Sequence, residues 1–491
     1  MSTYVIYVFF FSKLLTVRCD VGELITINIL PDDVLLEMFD FYVEDGNYDI
    51  DIVDEWITLT HVCRRWRAVV FQSPLRLNLR LLCTPITPTR DALDIWPPLP
   101  LIIRCDIFGT HAFNNISSVE VDNIIAALEH SDRVCRISLD YLPSSQSNFV
   151  TNSAVMQKPF PELTSLFLGD TSDGDGQIQL PESFLGGTAP RLQVLFLDKV
   201  SFPGLPKLLL SSTQLVDLEL TSFAYIPPDE MATALSALTS LGRFCLQFRC
   251  PRPRPARRPP PPPPTRSILP NLTTILFKGA SEYLEVILAR IDTLRLCSLH
   301  IAFFNQIIFD TPQLLQFISR QMLMAPEKGH IEFSSHAIII EFPPQIDEYG
   351  VLRVKILCTA PEWQLSSLEQ VCTSSLPHVS TLEDLYIFED REGSPRWQDD
   401  VENTLWLDLL HPFAAVKNLY LYKECAPRIA PALQELVGGR TMQVLPNLEN
   451  IFIERFQPSG PRHEGIEKFV AARRLASHPV AVSRWDRVSE E

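Results

Sequence analysis

Apolar residues along this chain follow one short pattern that recurs through most of its length. In a stretch of six residues the first, fourth and sixth are aliphatic or aromatic, and this pattern is written L-x-x-L-x-L. Ten such stretches occur, with middle apolar residues Ile137, Leu166, Leu195, Leu218, Phe244, Ile275, Leu299, Leu385, Leu419 and Ile451. The alternation of fourth and sixth positions is typical of a β-strand, and stretches of helical period lie between, as at 122–130, 228–238 and 281–291.

The steps between these middle residues are 29, 29, 23, 26, 31, 24, 86, 34 and 32. Most are near the 20–29 residues of a leucine-rich repeat. The long step contains strand-like runs at 337–342 and 351–358, which indicates two or three irregular units. The pattern predicts an α/β fold in which a repeat solenoid carries a parallel sheet on its inner face.

One feature of regular leucine-rich repeats is missing. Asn or Cys is expected eight residues after the first Leu, but Thr171, Val200, Phe223 and Arg249 stand there instead. We therefore expect an irregular solenoid with uneven curvature. The alternative is a set of ordinary α/β units without a smooth horseshoe.

The strand alternation also predicts a binding face. Fourth and sixth positions face the core, so third and fifth positions face the opposite side of the sheet. Five of the ten fifth positions are aromatic, among mostly polar third positions, which is typical of a protein-binding surface. We expect a target protein to contact Phe167, Phe196, His300, Tyr386, Tyr420 and Phe452. The alternative is that aromatic residues occur here because they favour strands.

A separate helical unit is predicted at residues 27–80. Pro31 and two aspartates favour a helix start, followed by an apolar stripe that is Val34, Leu35, Met38, Phe39 and Tyr42. Six carboxylates follow between residues 44 and 55. A second periodic run is then Trp56, Leu59, Cys63, Trp66 and Val70. A unit of about 50 residues is small for independent stability. We therefore expect the two apolar stripes to pack on each other and on the rest of the chain. The alternative is that they bind a partner protein.

Three blocks in this unit resemble an F-box. They are Ile29-Leu-Pro-Asp-Asp-Val-Leu-Leu-Glu-Met-Phe39, Trp56-Ile-Thr-Leu-Thr-His-Val-Cys-Arg-Arg-Trp-Arg67 and Ser73-Pro74. The longer acidic insert departs from the family pattern. The runs 90–100 and 184–206 are similar to a large F-box family of mushroom-forming fungi. The resemblance covers residues 27 to about 320 and, more weakly, the rest.

The resemblance implies a substrate-receptor subunit of an SCF-type cullin–RING ubiquitin ligase, whose repeats recruit an unknown target protein. It implies a Skp-type linker protein as partner, bound by Leu30, Pro31, Leu35, Leu36, Phe39, Trp56, Leu59, Val62, Cys63 and Trp66. It implies no cofactor, no metal and no enzymatic activity of the chain itself. The alternative is a scaffold or regulator that delivers no substrate, and an uncharacterised enzyme is a third possibility.

Composition narrows the partners and the compartment. Lys and Arg number 42 against 59 Asp and Glu, and the net charge of −17 argues against a nucleic-acid binder. Eleven scattered cysteines with no C-x-x-C predict free thiols in a reducing compartment, the cytoplasm or the nucleus. None of the phosphate-loop, dinucleotide, zinc-protease or serine-hydrolase motifs occurs.

The remaining segments complete the domain plan. Residues 1–26 are a leader, loose or packed, whose apolar run 4–11 is too short to span a membrane, so we expect no membrane partner. Residues 81–130 are a linker with the first irregular units, and 131–457 are the repeat domain. A Pro-rich and Arg-rich loop at 251–264 interrupts that domain and favours extended polyproline II. Residues 458–491 are a polar tail, expected to be loose.

Overall fold

A computed structural model defines most of the chain. It describes residues 16–18, 24–26, 30–44, 55–105, 118–139, 144–169, 177–250, 266–306, 308–321, 326–343, 351–390, 393, 395, 397, 402–436, 440, 442–454 and 464–485. The predicted Pro-rich loop at 251–264 lies outside the described residues, as does the acidic insert at 45–54.

Helices and strands alternate along the described chain. The α-helices are α1 Asp32–Glu44, α2 Glu55–Val62, α3 Arg64–Gln72, α4 Thr89–Ile95, α5 Ser118–Leu128, α6 Ser144–Thr151, α7 Leu205–Ser211, α8 Pro228–Ser236, α9 Ser281–Leu288, α10 Pro312–Gln321, α11 Pro361–Ser374, α12 Asn403–Leu410, α13 Ala426–Gln434 and α14 Glu464–Leu475. Short 3₁₀ turns occupy Ala154–Gln157, Phe184–Gly187 and Pro377–Thr381.

The strands are β1 Thr16–Arg18, β2 Leu24–Thr26, β3 Leu81–Cys83, β4 Leu101–Arg104, β5 Val134–Leu139, β6 Ser165–Leu168, β7 Ile178–Gln179, β8 Val194–Asp198, β9 Val200–Ser201, β10 Asp217–Phe223, β11 Arg243–Phe248, β12 Ser267–Leu269, β13 Thr274–Gly279, β14 Ile291–Thr293, β15 Ser298–Phe304, β16 Lys328–Phe333, β17 Ala337–Phe342, β18 Val351–Leu357, β19 Asp384–Glu389, β20 Asn418–Leu421, β21 Asn450–Glu454 and β22 Ala481–Trp485. Most of the predicted strand and helix stretches are confirmed within a few residues.

One sheet organises the molecule. Sixteen of the described strands pair in the order β22-β21-β20-β19-β16-β17-β18-β15-β13-β11-β10-β8-β6-β5-β4-β3. Every pair in it is parallel except the two that involve β17. The predicted α/β class with a large, mostly parallel sheet is confirmed. Two-stranded pairs β1-β2, β12-β14 and β7-β9 lie outside this sheet.

The 86-residue step corresponds to a local change of strand order. The chain leaves β15, passes through α10 and enters the sheet three positions further on as β16. It then returns through antiparallel β17 to β18, which pairs with β15. The 14-residue helix α11 leads from β18 to β19 on the far side of β16. The step therefore holds three strands and two helices, one strand of which opposes the predicted parallel direction.

The core lies between the sheet and the helices. All ten middle residues of the repeated pattern are buried, with side chains at most 4% exposed. The flanking first and sixth positions are buried with them, as Leu163 and Leu168 show, except that Leu296 is half-buried. The predicted inward face of the strands is therefore confirmed. The predicted outward face holds for most third and fifth positions, but Ser138 and Cys245 are buried.

Three boundary expectations differ from the structure. The first irregular units at 81–130 are part of the main sheet, because β3 and β4 pair in parallel with each other and with β5. The expectation of a loose tail is wrong for residues 464–485, which form α14 and β22. The leader contains the antiparallel pair β1-β2.

Candidate partner-binding surfaces

Helices α1, α2 and α3 form a small module around aromatic side chains. The ring centroids of Phe39 and Trp66 are 4.7 Å apart. Leu35, Phe39, Trp56, Leu59 and Trp66 are each at most 2% exposed. Five of the ten predicted linker-binding residues therefore hold the module together, and their side chains are not available to a partner in this structure.

Polar contacts fix the geometry of the module. The second periodic run is divided at Cys63, whose backbone is extended and whose Sγ accepts from the Trp66 N–H at 3.4 Å. Arg65 donates to the Asp32 carboxylate at 2.6 Å and to the Leu30 carbonyl at 2.5 Å. Because these two bonds bridge α3 and the start of α1, the Leu-Pro opening is held against the closing helix.

A different set of apolar residues faces solvent. Val34, Met38 and Phe41 on α1 are 41%, 41% and 69% exposed, and Val62 at the end of α2 is 51% exposed. The spacing of 34, 38 and 41 places them on one side of the helix. Of the other predicted residues Pro31 is exposed, while Leu30, Leu36 and Cys63 are half-buried.

The predicted linker-binding set did not include Met38 and Phe41, because it followed the motif positions of the F-box resemblance. Two stripes, one at 35 and 39 and the other at 34, 38 and 41, run side by side on α1. The burial of the first leaves the second as the exposed one. The sequence feature that could have indicated this second stripe is the apolar Phe41, which lies between Asp40 and Tyr42.

The fifth positions of the repeats lie in a single row across the sheet. Strand register joins each to the next, from Ser138 at one side to Phe452 at the other. The row is Ser138, Phe167, Phe196, Glu219, Cys245, Leu276, His300, Arg353, Glu341, His330, Tyr386, Tyr420 and Phe452. The six predicted target-binding residues share a face, but they fall into three groups along it.

The C-terminal group is an aromatic ladder. Tyr386 and Tyr420 stack with centroids 4.1 Å apart, and Tyr420 and Phe452 stack at 4.7 Å. His330 meets Tyr386 edge-on at 4.8 Å. Trp485 lies across the ladder, with its ring 5.5 Å from that of Tyr420. Because stacked rings cover each other's faces, the ladder presents ring edges and phenol groups.

A polar ladder runs beside the aromatic one. The Asn450 amide donates to the Asn418 side-chain oxygen at 2.8 Å, and the Asn418 amide donates to the Asp384 carboxylate at 2.7 Å. These third-position side chains thus form hydrogen bonds with one another across β19, β20 and β21. The chain of amides fixes the strand register on which the aromatic stack depends.

The middle group is charged. Arg353 and Glu341 face each other across β18 and β17 at 3.4 Å. Burial, together with Arg353, lowers the pKa of His300. Burial, together with Asp390, raises the pKa of Glu332. His300 thus lies among ionisable groups and apart from the aromatic residues.

The N-terminal group is a pair of phenylalanines. The rings of Phe167 and Phe196 are 6.3 Å apart, and the Arg136 guanidinium lies 4.8 Å above the Phe167 ring. Sequence reasoning identified both rings but missed His330 and Trp485. His330 falls in the irregular 86-residue step, and Trp485 lies in the expected tail, so no repeat pattern pointed to either.

Among the described residues no group of three or more His, Cys, Asp or Glu side chains is placed to hold a metal ion. Within those ranges no helix is long and apolar enough to cross a membrane. The ten described cysteines are all free thiols, six of them buried.

Comparison of the chain with models of protein families, and with curated proteins, gives no match. The two surfaces are therefore interpreted from their own residues and geometry.

Proposed function

We propose that the chain is a substrate-receptor subunit of an SCF-type cullin–RING E3 ubiquitin ligase. The observation that carries this proposal is the apolar stripe Val34, Met38 and Phe41, exposed on a three-helix unit that contains F-box-like blocks in the F-box order. Burying one such side chain is worth about 1.5–3 kcal/mol, so the stripe favours a protein partner. In this proposal that partner is the Skp-type linker.

The proposal divides the predicted linker-binding residues by role. Val62, with Met38 and Phe41 of the exposed stripe, contacts the linker directly. Buried residues such as Trp56 and Trp66 position the helices that present them. The chain contributes binding alone, and the other subunits of the ligase carry the ubiquitin chemistry.

The sheet is proposed to recruit the target as a degenerate leucine-rich-repeat array. Supporting this are the repeat spacing, the buried first, fourth and sixth positions, and the fifth-position row. The ladder Tyr386-Tyr420-Phe452 is the strongest part of that row, because rigid aromatic side chains lose little entropy on binding. The cytoplasm or the nucleus, where such a ligase acts, agrees with the free thiols.

The test is co-purification of the full chain with a Skp-type linker. The variant Met38→Asp/Phe41→Asp is expected to lower linker capture at least about tenfold, since two apolar contacts become charges that must be desolvated. Both sites are exposed, so the fold is retained. Leu35→Asp/Trp66→Ala is less useful, because both side chains belong to the module core.

Phe149→Asp is the matched control, because Phe149 is 62% exposed on α6, outside the module. It should bind the linker like the wild type. A wild-type chain that captures no linker contradicts the proposal.

A second readout separates the receptor from the alternative scaffold. With the cullin and ubiquitin present, a receptor yields a ubiquitinated client, and Tyr386→Ala/Tyr420→Ala/Phe452→Ala abolishes it without loss of linker capture. Linker capture without any ubiquitinated client would favour the scaffold. A folded triple variant that still delivers the client would exclude the ladder as the target-binding surface.

A further inference from the structure

The two ends of the main sheet are covered differently. At the β3 end the helical module packs close, and the Trp56 indole N–H donates to the Arg80 carbonyl at 2.9 Å. At the other end β22 pairs with β21 alone. No further described strand lies beside β22, so the backbone groups on its outer edge have no ladder partner within the described part of the chain.

Helix α14, which precedes β22, has two distinct faces. Its inner face contains Gly465, Ile466, Phe469 and Arg473, all buried. A Cβ placed on Gly465 would be 2.6 Å from the Ala430 carbonyl oxygen, which shows how closely α14 approaches α13. The inner face is therefore fully used within the chain.

The outer face of α14 borders an apolar groove of ≈ 530 Å³. Val470, Ala471 and Leu475 line it from the helix, and Val482 lines it from β22. Leu475 is 89% exposed. Exposed apolar surface beside an unpaired strand edge is characteristic of a protein interface.

The order of residues on this outer face is self-complementary. The groove is lined from α14 by Glu467, Val470, Ala471, Arg474 and Leu475, and by Ile466, which is buried on the inner face. On the outer face, Glu467 and Arg474 lie at equal distances on either side of the midpoint between 470 and 471, and the small residues Val470 and Ala471 flank that midpoint. At about 100° per residue the same pairs also mirror each other around the helix.

A two-fold axis that lies beside α14 at that midpoint and perpendicular to the helix uses this symmetry. It sets α14 antiparallel to α14 of a second copy, with Glu467 opposite Arg474 of that copy in both directions. The same axis sets the two β22 edges antiparallel, the direction in which edge strands can pair. An unrelated peptide would have no reason to match this arrangement.

We propose that α14 and β22 form a homodimer interface occupied by a second copy of this chain. The inference goes beyond the proposed ligase function and does not depend on it, because its test measures mass and not linker binding. The contacts are apolar at the centre, with a reciprocal Glu467–Arg474 pair on either side.

The experiment is sedimentation equilibrium of the full chain over a range of concentrations, with two single charge variants. Glu467→Arg and Arg474→Glu are each expected to raise the dimer Kd roughly tenfold, because each places like charges opposite in both pairs. An equimolar mixture of the two variants should recover association, because opposite charges again face each other in the heterodimer. Glu467 and Arg474 lie two turns apart on α14, so recovery between chains reports contact across the interface.

Leu475→Asp should weaken the dimer, because Leu475 lines the groove, whereas Phe149→Asp, on an exposed site remote in sequence, should not. Circular dichroism of each variant excludes loss of fold. A wild-type chain that is monomeric at every concentration overturns the proposal. A dimer that neither charge variant weakens, or that the mixture does not restore, also overturns it, since the interface is then elsewhere.

Discussion

At the scale of single residues, Glu285 is a half-buried carboxylate that joins two helices. It lies on α9, and its carboxylate accepts from the backbone N–H groups of Gln313 and Leu314, both at 2.8 Å. It thereby caps the start of α10 from a neighbouring helix. Burial raises the pKa of Glu285 from 4.5 to about 7, although the two N–H donors act in the opposite direction.

This pKa predicts that stability falls as the pH rises. Between about 4.5 and 7 the folded chain retains a proton on Glu285 that the unfolded chain releases. This difference in proton binding contributes up to about 3 kcal/mol to the free energy of unfolding. The contribution is fully present below the pKa of the unfolded chain and is lost as the pH rises through the pKa of the folded chain. Glu285→Gln, which stays neutral and keeps an acceptor oxygen, should flatten that part of the profile.

The measurement is urea unfolding of the wild type and Glu285→Gln at several pH values from about 5 to about 8. Glu362→Gln is the control, because Glu362 lies in the first turn of α11 and takes no part in this cap. Parallel pH profiles for wild type and Glu285→Gln would contradict the prediction.

The sequence predicts the apolar residues better than it predicts this carboxylate. Leu166, Leu195 and Leu419 recur at a fixed position, and burial follows from that position. Glu285 lies in an amphipathic helix, where a carboxylate is normally exposed, and its partners are 28 and 29 residues away. No local pattern encodes such a contact.

At the scale of elements, the C-terminal helix differs most from expectation. The sequence predicts a polar tail at 464–475, because the charged Arg473 stands at a position that the structure places on the inner, buried face of the helix. The structure buries this side chain, and its Nη2 donates to the carbonyls of Leu445, Pro446 and Leu448 at 3.3, 3.1 and 3.1 Å. From sequence alone, a buried arginine that donates hydrogen bonds to loop carbonyls cannot be distinguished from an exposed arginine.

Gly465 provides a test of how tightly this helix packs. Gly465→Ala gains up to about 1 kcal/mol of helix propensity, but its Cβ would be 2.6 Å from the Ala430 carbonyl oxygen. Overpacking of this kind costs about 1–3 kcal/mol, so we expect a net loss in the free energy of unfolding. Urea unfolding monitored by circular dichroism measures it.

Lys468→Ala serves as the control for that substitution, because Lys468 is exposed on the same helix and its ion pair, with Glu464 at 2.8 Å, lies on the helix surface. It should change the free energy of unfolding by less than about 0.5 kcal/mol. A stabilised Gly465→Ala chain would show that α14 can move away from α13 at little cost.

At the scale of the whole molecule, the repeat spacing predicts the composition of the sheet but not the complete strand order. The nine main-sheet strands from β3 to β15 lie side by side in chain order, as a parallel repeat requires. The exchange of β16 and β18 cannot be read from the 86-residue step, because a length fixes the number of units and not their neighbours. Side-chain alternation in β17 is equally compatible with either direction.

The connection between the helical module and the sheet is a cluster of three aromatic rings. Trp96, just after α4, lies 5.5 Å from Trp56 of α2 and 5.8 Å from Phe71 of α3, in edge-to-face contacts. Such pairs contribute about 0.5–1.5 kcal/mol each beyond their buried area. The module, too small for much stability alone, therefore draws part of its stability from the sheet.

Removing this cluster should uncouple the two parts. In Trp96→Ala, amide hydrogens in α2 and α3 are expected to exchange at least about tenfold faster, while those of β8 and β10 keep their rates, because only the module loses its support. Hydrogen-exchange mass spectrometry of the full chain measures both regions at once. Trp363→Ala, at a half-exposed Trp on α11, is the matched control and should leave the module unchanged. Equal protection of α2 and α3 in Trp96→Ala and wild type would mean that the module is stable without the support of this cluster.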